Sequence, residues 1–341
     1  MPVPHLMDKA RPFLNGGRIL VVKLSSLGDI FHALPAVHAL RHGGARQVDW
    51  VTQPEYAALV RCFPDVDRVI TFPRRHFFRS FRSFCRALRV TDYDAVLDLQ
   101  GLFKSALTAR LARAPRRIGP SFYREGVRGC YTEVAGPRNK DRHAVEEIMD
   151  VVTHIGSAPA DPVFECSFPP MPVTGSSPRV AYLPCSRWET KNWPPAHFAT
   201  VINAVHAACG GQAFLLGSGS DQTVLDFIQE HVRAPLHNLA GRTDLVQLGR
   251  WLQAMDLLVT VDSGPMHMAA ALGIPVVALF GATDPLRTGP YGSGHVVLQH
   301  GKLDCQPCRS RRCLRPTRDI ACLRDLEPDR VTATVIAKLK P

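Results

Sequence analysis

No apolar run in this 341-residue sequence approaches the length of a membrane span; the longest, Met268 to Phe280, is interrupted by Gly273 and Pro275. The N-terminal stretch holds Asp8, Lys9 and Pro12 and no apolar core segment, so residues 1–17 read as a loose leader rather than a signal peptide. The dinucleotide fingerprint G-x-G-x-x-G is absent, no part is low-complexity or collagen-like, and no signature of a helix-turn-helix, RRM or C2H2 finger occurs. Aromatic residues are few, at 8%. These absences exclude a membrane-spanning, fibrous or secreted chain and leave a soluble, cytoplasmic protein as the expectation. A hydrophobic content of 45% excludes disorder, and the length suffices for two domains with separate cores.

Basic residues outnumber acidic ones, 41 to 30, for a net charge of +11. Such a surplus suits an anionic partner, whether nucleic acid, acidic lipid or a phosphorylated substrate, without choosing among them. Of ten cysteines, Cys62, Cys85, Cys130, Cys166, Cys185 and Cys209 are scattered singly and read as reduced thiols. The other four form Cys305-x2-Cys308-x4-Cys313-x8-Cys322, a candidate structural zinc site weighed against reduced thiols or a redox-labile pair.

β-Branched runs alternate with helical patterns throughout. Strands are predicted at Arg18–Leu24, Val48–Thr52, Arg68–Phe72 and Ala95–Leu99, and again near Val180–Leu183, Ala213–Leu216, Leu257–Val261 and Val276–Phe280. Helices are predicted at about Ile30–Arg41, Pro54–Cys62, Phe77–Arg89 and Leu102–Arg113, then Pro195–Ala208, Gln222–Val232, Leu245–Ala254 and Pro265–Leu272. That alternation gives an α/β chain of two doubly wound, Rossmann-like domains with parallel sheets. Six prolines in Ser157–Pro178 mark an extended linker, so the domains are placed at 18–156 and 179–341. Two such domains place a ligand in the cleft between them, at the carboxyl ends of the strands.

Three strand-end turns carry chemistry. In Lys23-Leu24-Ser25-Ser26-Leu27-Gly28-Asp29, Asp29 either complements a helix dipole or acts as a general base. In Cys185-Ser186-Arg187-Trp188-Glu189-Thr190-Lys191, Arg187 and Lys191 with Ser186 and Thr190 form a plausible diphosphate clamp, while Trp188 and Trp193 read first as core anchors. In Asp262-Ser263-Gly264-Pro265-Met266-His267, Pro265 opens a helix whose amides face an incoming anion, and His267 is packed or catalytic. A fourth turn, Phe280 to Pro285, adds backbone donors.

Val21 to Ile30 with His32 and Leu34-Pro35-Ala36, then Asp98-Leu99-Gln100-Gly101-Leu102-Phe103-Lys104-Ser105, then Ser186 through Trp193, then Asp262 to His267 occur in an order that resembles the bacterial lipopolysaccharide heptosyltransferases of glycosyltransferase family 9. The likeness spans about residues 18 to 300, and the Ser25-Ser26-Leu27-Gly28-Asp29 opening is more like type I than type II. It implies the GT-B fold and inverting transfer of L-glycero-D-manno-heptose from ADP-heptose to Kdo on lipid A, with no cofactor or metal required. Asp29 would be the catalytic base. Donor binding would fall to Ser186, Arg187, Thr190, Lys191, Thr243 near the adenine segment, Asp262 on sugar hydroxyls or as loop support, Ser263, Gly264, Pro265 and His267. Acceptor binding would fall to Ser25, Ser26, Gly28, Lys104, Arg124 and His143, although a solvated lysine is an equally ordinary role for Lys104. Cys185 departs from the small residue usual in relatives.

The segment Arg74–Arg89 sets Arg75, Arg79, Arg82, Arg86 and Arg89 opposite Phe77, Phe78, Phe81, Phe84, Cys85 and Leu88. Buried phenylalanines with arginines facing lipid phosphates would make the protein peripheral on the cytoplasmic face of the inner membrane. Two rivals stand beside this reading. One is heptosyltransferase II or a relative with another nucleotide sugar; the other is a basic nucleic-acid-binding protein with a four-cysteine zinc module, although no nucleic-acid partner is expected.

Overall fold

The computed structural model describes residues 15–74, 77–157, 161–173, 175–301 and 303–340. Residues 1–14 of the expected leader, and Arg75, lie outside them. The chain divides into two units, 1–166 and 167–341.

The first unit begins with β1 (Arg18–Val22), α1 (Leu27–His32) and α2 (Leu34–His42), then β2 (Gln47–Thr52), α3 (Pro54–Val60), β3 (Arg68–Thr71) and α4 (Phe77–Leu88). It continues through β4 (Ala95–Asp98), α5 (Phe103–Leu111), β5 (Arg116–Pro120), β6 (Glu133–Ala135) and α6 (Ala144–His154). Its six strands are parallel in the order β3-β2-β1-β4-β5-β6. β1 and β4 are buried almost throughout, as a sheet covered on both faces requires.

The second unit repeats the plan. It contains β7 (Arg179–Leu183), α7 (Pro195–Cys209), β8 (Gln212–Leu215), α8 (Gln222–His231), β9 (Leu236–Asn238) and α9 (Leu245–Gln253). Then come β10 (Leu257–Val261), α10 (Gly264–Ala271), β11 (Val276–Leu279), α11 (Pro285–Thr288), β12 (Val296–Leu298), α12 (Ala321–Arg324) and α13 (Pro328–Leu339). Its parallel order, β12-β11-β10-β7-β8-β9, is the same topology read from the other edge. In each sheet the winding direction reverses beside the first strand, between β1 and β4 and between β7 and β10.

Several expectations are corrected. The single helix predicted at Ile30–Arg41 is two, broken at Ala33, because Pro35 has no N–H to continue the ladder and its ring crowds the Phe31 carbonyl. Strands β5, β6, β9 and β12 were not anticipated; they are short, and arginine, glutamate, histidine or asparagine interrupts most of their apolar patterns. The proline-rich segment is not wholly a linker. Phe168 is buried, its backbone N–H and carbonyl both bond the Gln253 amide, and Arg250 donates to the carbonyls of Pro169 and Pro170. Among the described residues no helix is long and apolar enough to cross a membrane. On α4, Phe84 and Leu88 are buried, with Phe84 edge-on to Phe72, while Arg79, Arg82, Arg86 and, just past its end, Arg89 are exposed.

Candidate active site

In an open parallel sheet, ligands bind beyond the carboxyl ends of the strands where the winding direction reverses. In the first unit that point is flanked by the turns after β1 and β4. Both carry the residues singled out above, and the structure joins them. The Gln100 amide accepts from the N–H of Leu24 at 2.7 Å and of Ser25 at 3.3 Å, and donates to the Ser25 carbonyl at 2.8 Å. One side chain thus extends the strand pairing past the last residues of β1.

Ser26 caps α1 and Asp29 answers it from the third helical position. Asp29 Oδ2 accepts from the Ser26 N–H at 2.9 Å and from its hydroxyl at 2.7 Å, a capping box. Lys23 Nζ stands 3.8 Å from Asp29 Oδ1 and donates to the Leu99 carbonyl at 2.7 Å. The Lys23 side chain is only 5% exposed whereas that of Asp29 is 46% exposed. Burial holds the ammonium below its ordinary pKa, and the charges of Asp29 and Asp98 act against that fall. The dipole-complementing and general-base readings of Asp29 are therefore compatible: the cap holds one oxygen while the carboxylate stays open to solvent.

Beneath this turn lies Asp98, wholly buried. It accepts from the N–H groups of Gln100 (2.8 Å) and Gly101 (3.0 Å) and from the hydroxyls of Ser105 (2.8 Å) and Tyr131 (2.7 Å). Burial raises its pKa, and these four donors oppose that rise. Gly119 makes room for the tyrosine, since a Cβ there would come within 2.3 Å of the Tyr131 ring. Gly101 holds φ +70°, and a Cβ there would meet the Tyr123 backbone at 2.9 Å.

Of the expected acceptor residues, Ser25 and Ser26 are half-buried at the turn, and Lys104 is exposed in the first turn of α5. Arg124 is exposed, and its backbone N–H donates to the Gly101 carbonyl at 2.8 Å, which brings its loop onto the same turn. Glu125 caps α5 through the Phe103 N–H at 2.7 Å. Two of the expected residues are buried. His143 is buried as the N-cap of α6, with Nδ1 accepting from Val145 N–H and its ring edge-on to His32. Gly28 is buried in the first turn of α1.

In the second unit the reversal lies between the turns after β7 and β10. Lys191 Nζ and Asp262 Oδ2 are 2.7 Å apart, both nearly buried, and the Thr283 hydroxyl donates to the same carboxylate oxygen. Asp262 thus supports the loops. Lys191 Nζ also lies 4.7 Å from the centre of the Trp188 ring, with Arg311 at 5.4 Å, so Trp188 is a cation platform rather than a core anchor. Trp193 is the anchor: buried, its indole N–H donates to the Leu326 carbonyl at 3.1 Å. Asn192 accepts from the Ser186 N–H at 2.7 Å and closes the loop, leaving Arg187 exposed.

Ser263 is the N-cap of α10, whose first turn contains Gly264 and Pro265, and His267 is buried one turn in. Thr243 is half-buried just before Asp244, the N-cap of α9, beside the close approach of Gly241 to Gly219. Thr190 is buried, and its hydroxyl donates to the Ser310 carbonyl at 2.6 Å. Burial pushes the Cys185 thiol up to about 12.

None of the ten cysteines is in a disulfide. Cys305, Cys308, Cys313 and Cys322 line one cavity, and burial with the charges of the other three holds the Cys322 thiol up to about 11. Sequence reasoning assigned no role to Lys23, Gln100 or Tyr131. For Lys23 the signal was present, as a lone cation inside the run Val21-Val22-Lys23-Leu24.

Comparison with known proteins places this geometry. Residues 81–317 match glycosyltransferase family 9 (heptosyltransferase). The chain is 31% identical over 329 residues to lipopolysaccharide heptosyltransferase 1 of Pseudomonas aeruginosa, covering 91% of each. Among solved structures it is similar to the Escherichia coli heptosyltransferase WaaC with ADP, at TM-score 0.76 and 25% identity over 94% of this chain and 99% of that one. The Escherichia coli ADP-heptose lps heptosyltransferase II gives TM-score 0.75 and 25% identity, covering 94% and 98%. The chain is a glycosyltransferase with the GT-B fold, and it belongs to glycosyltransferase family 9, the heptosyltransferases.

Proposed function

We propose that this enzyme transfers L-glycero-D-manno-heptose from ADP-heptose to Kdo of the lipopolysaccharide inner core, as a type I heptosyltransferase. The observation that carries the reading is the open, capped carboxylate of Asp29 beside the strand reversal of the first unit, with buried Lys23 next to it. Asp29 takes the proton from the acceptor hydroxyl as its oxygen attacks the anomeric carbon. The bond from that carbon to the ADP oxygen breaks on the opposite side, so the configuration inverts. Arg187, Lys191 and the amide end of α10 receive the charge that develops on the departing diphosphate. Lys104 and Arg124 meet acceptor anions, and Thr243 lies on the adenine side. The exposed arginines of α4 suit an anionic membrane surface, which would hold the enzyme beside a lipid-borne acceptor.

The test is ADP release from ADP-heptose with two acceptors, heptose-free Kdo-lipid A and the same acceptor already bearing one heptose. Turnover on the first alone is expected. Preference for the second would make it a type II enzyme, and turnover on neither would overturn the donor and acceptor assignments.

A further inference from the structure

Residues 303–320 contain no helix or strand, although they join β12 to α12 inside a compact unit. Irregular segments of this length are uncommon and need something to organise them. Leu303 and Ile320 pack against the core at the two ends of this segment, whereas Leu314 between them is 68% exposed. Among the described residues, three of the four non-glycine residues with positive φ fall here: Arg309 (52°), Arg318 (49°) and Ile320 (45°). For a β-branched residue such as Ile320 that conformation is a clear outlier, which other interactions must offset.

What the segment does converge is sulfur. Cys305, Cys308 and Cys313, with Cys322 from α12, line one cavity of about 10 Å³, the scale of a single water or ion. We propose that these four cysteines form a site for one thiophilic divalent metal ion. Four thiolates around such an ion carry a net charge of about −2, and the same segment holds Arg311, Arg312 and Arg318 besides Arg309 and Arg315, which pair with Asp284 and Asp319. Among the described residues the only three ligand atoms within 4.8 Å of one another belong to His38, His42 and Asp65. A tetrahedral ion with metal–sulfur bonds of about 2.3 Å brings its sulfurs closer than that. Binding therefore tightens the loop around the ion.

The tightened loop holds other parts of the unit. The Ser310 carbonyl accepts from Thr190 at 2.6 Å, the Arg309 N–H donates to Ala282 at 2.8 Å, and the Gln306 amide donates to Gly281 at 2.9 Å. These contacts reach the turns after β7 and β11, the first of which carries Arg187 and Lys191. The metal site thus fixes the donor-side loops, a consequence that rests on the function proposed above, whereas metal binding itself does not.

Cobalt(II) titration of the reduced, metal-stripped full chain tests the site. The expected result is about one equivalent bound with thiolate-to-cobalt charge transfer and the visible bands of tetrahedral cobalt. Zinc should displace it, Cys308→Ser and Cys322→Ser should each lose the signal, and Cys62→Ser should keep it. Absence of these bands in the wild type, or their survival in both cluster variants with an unchanged far-ultraviolet circular dichroism spectrum, overturns the proposal. Weaker ADP binding after metal removal supports the link to the donor loops. An unchanged ADP affinity overturns that link alone, and failure of the wild type to bind ADP in either state overturns the donor reading instead.

Discussion

Lys23 Nζ donates to the Leu99 carbonyl at 2.7 Å and stands 3.8 Å from Asp29 Oδ1, so one buried ammonium ties the end of β4 to the carboxylate after β1. The positive charge favours the ionised form of Asp29, the form that accepts a proton. In Lys23→Met that attraction is lost and the acidic limb of the kcat/KM profile should move to higher pH. Activity then falls most at low pH and recovers as pH rises. A parallel loss at all pH values would mean that Lys23 only supports the fold.

The pair Lys191–Asp262 is nearly buried, so removing one partner strands the other. Lys191→Met should cost about 3–5 kcal/mol in denaturant unfolding. Lys191→Met combined with Asp262→Asn should recover most of that stability without recovering ADP affinity. Calorimetric ADP binding equal to wild type in the double variant would remove Lys191 from the donor site.

Gln100 acts through the turn it braces. Gln100→Leu leaves the N–H groups of Leu24 and Ser25 without their side-chain acceptor, a loss of about 1–3 kcal/mol. The expected kinetic signature is a lower kcat with ADP affinity unchanged. An unaltered kcat would show that Asp29 is positioned without this brace.

Arg116, bonded to Glu133 through both carboxylate oxygens, and His154 hold the Glu133 carboxyl down at about 2, against an ordinary 4.5. The folded pKa is depressed, so the stabilisation is present above about 4.5 and lost as pH falls toward about 2. The melting-temperature gap between wild type and Glu133→Gln should therefore be wide at pH 7 and narrow at pH 3. A gap independent of pH would contradict the ion-pair origin.

The repeated strand–helix alternation was readable because the central strands are buried on both faces and nearly continuous in apolar residues, as in Leu257–Val261. The outer strands were hidden for the opposite reason: Leu236–Asn238 spans three residues, two of them polar, and only its pairing with β8 makes it a strand. Asp29, Arg187 and Lys191 were legible as charged residues at strand ends. Thr190 and His143 looked equally suitable, because spacing gives a residue's neighbourhood in the chain and not the partner its side chain finds, here Ser310 and the Val145 N–H. The bracing by Gln100 and the burial of Lys23 depend on strand order, since β1 and β4 become neighbours only in the folded sheet.

The central claim is that Asp29 is the base for transfer. It is tested most directly by following ADP release in Asp29→Asn beside calorimetric ADP binding by the same preparation. The account predicts wild-type ADP affinity with turnover reduced by at least about 100-fold. Turnover within a few fold of wild type would contradict it.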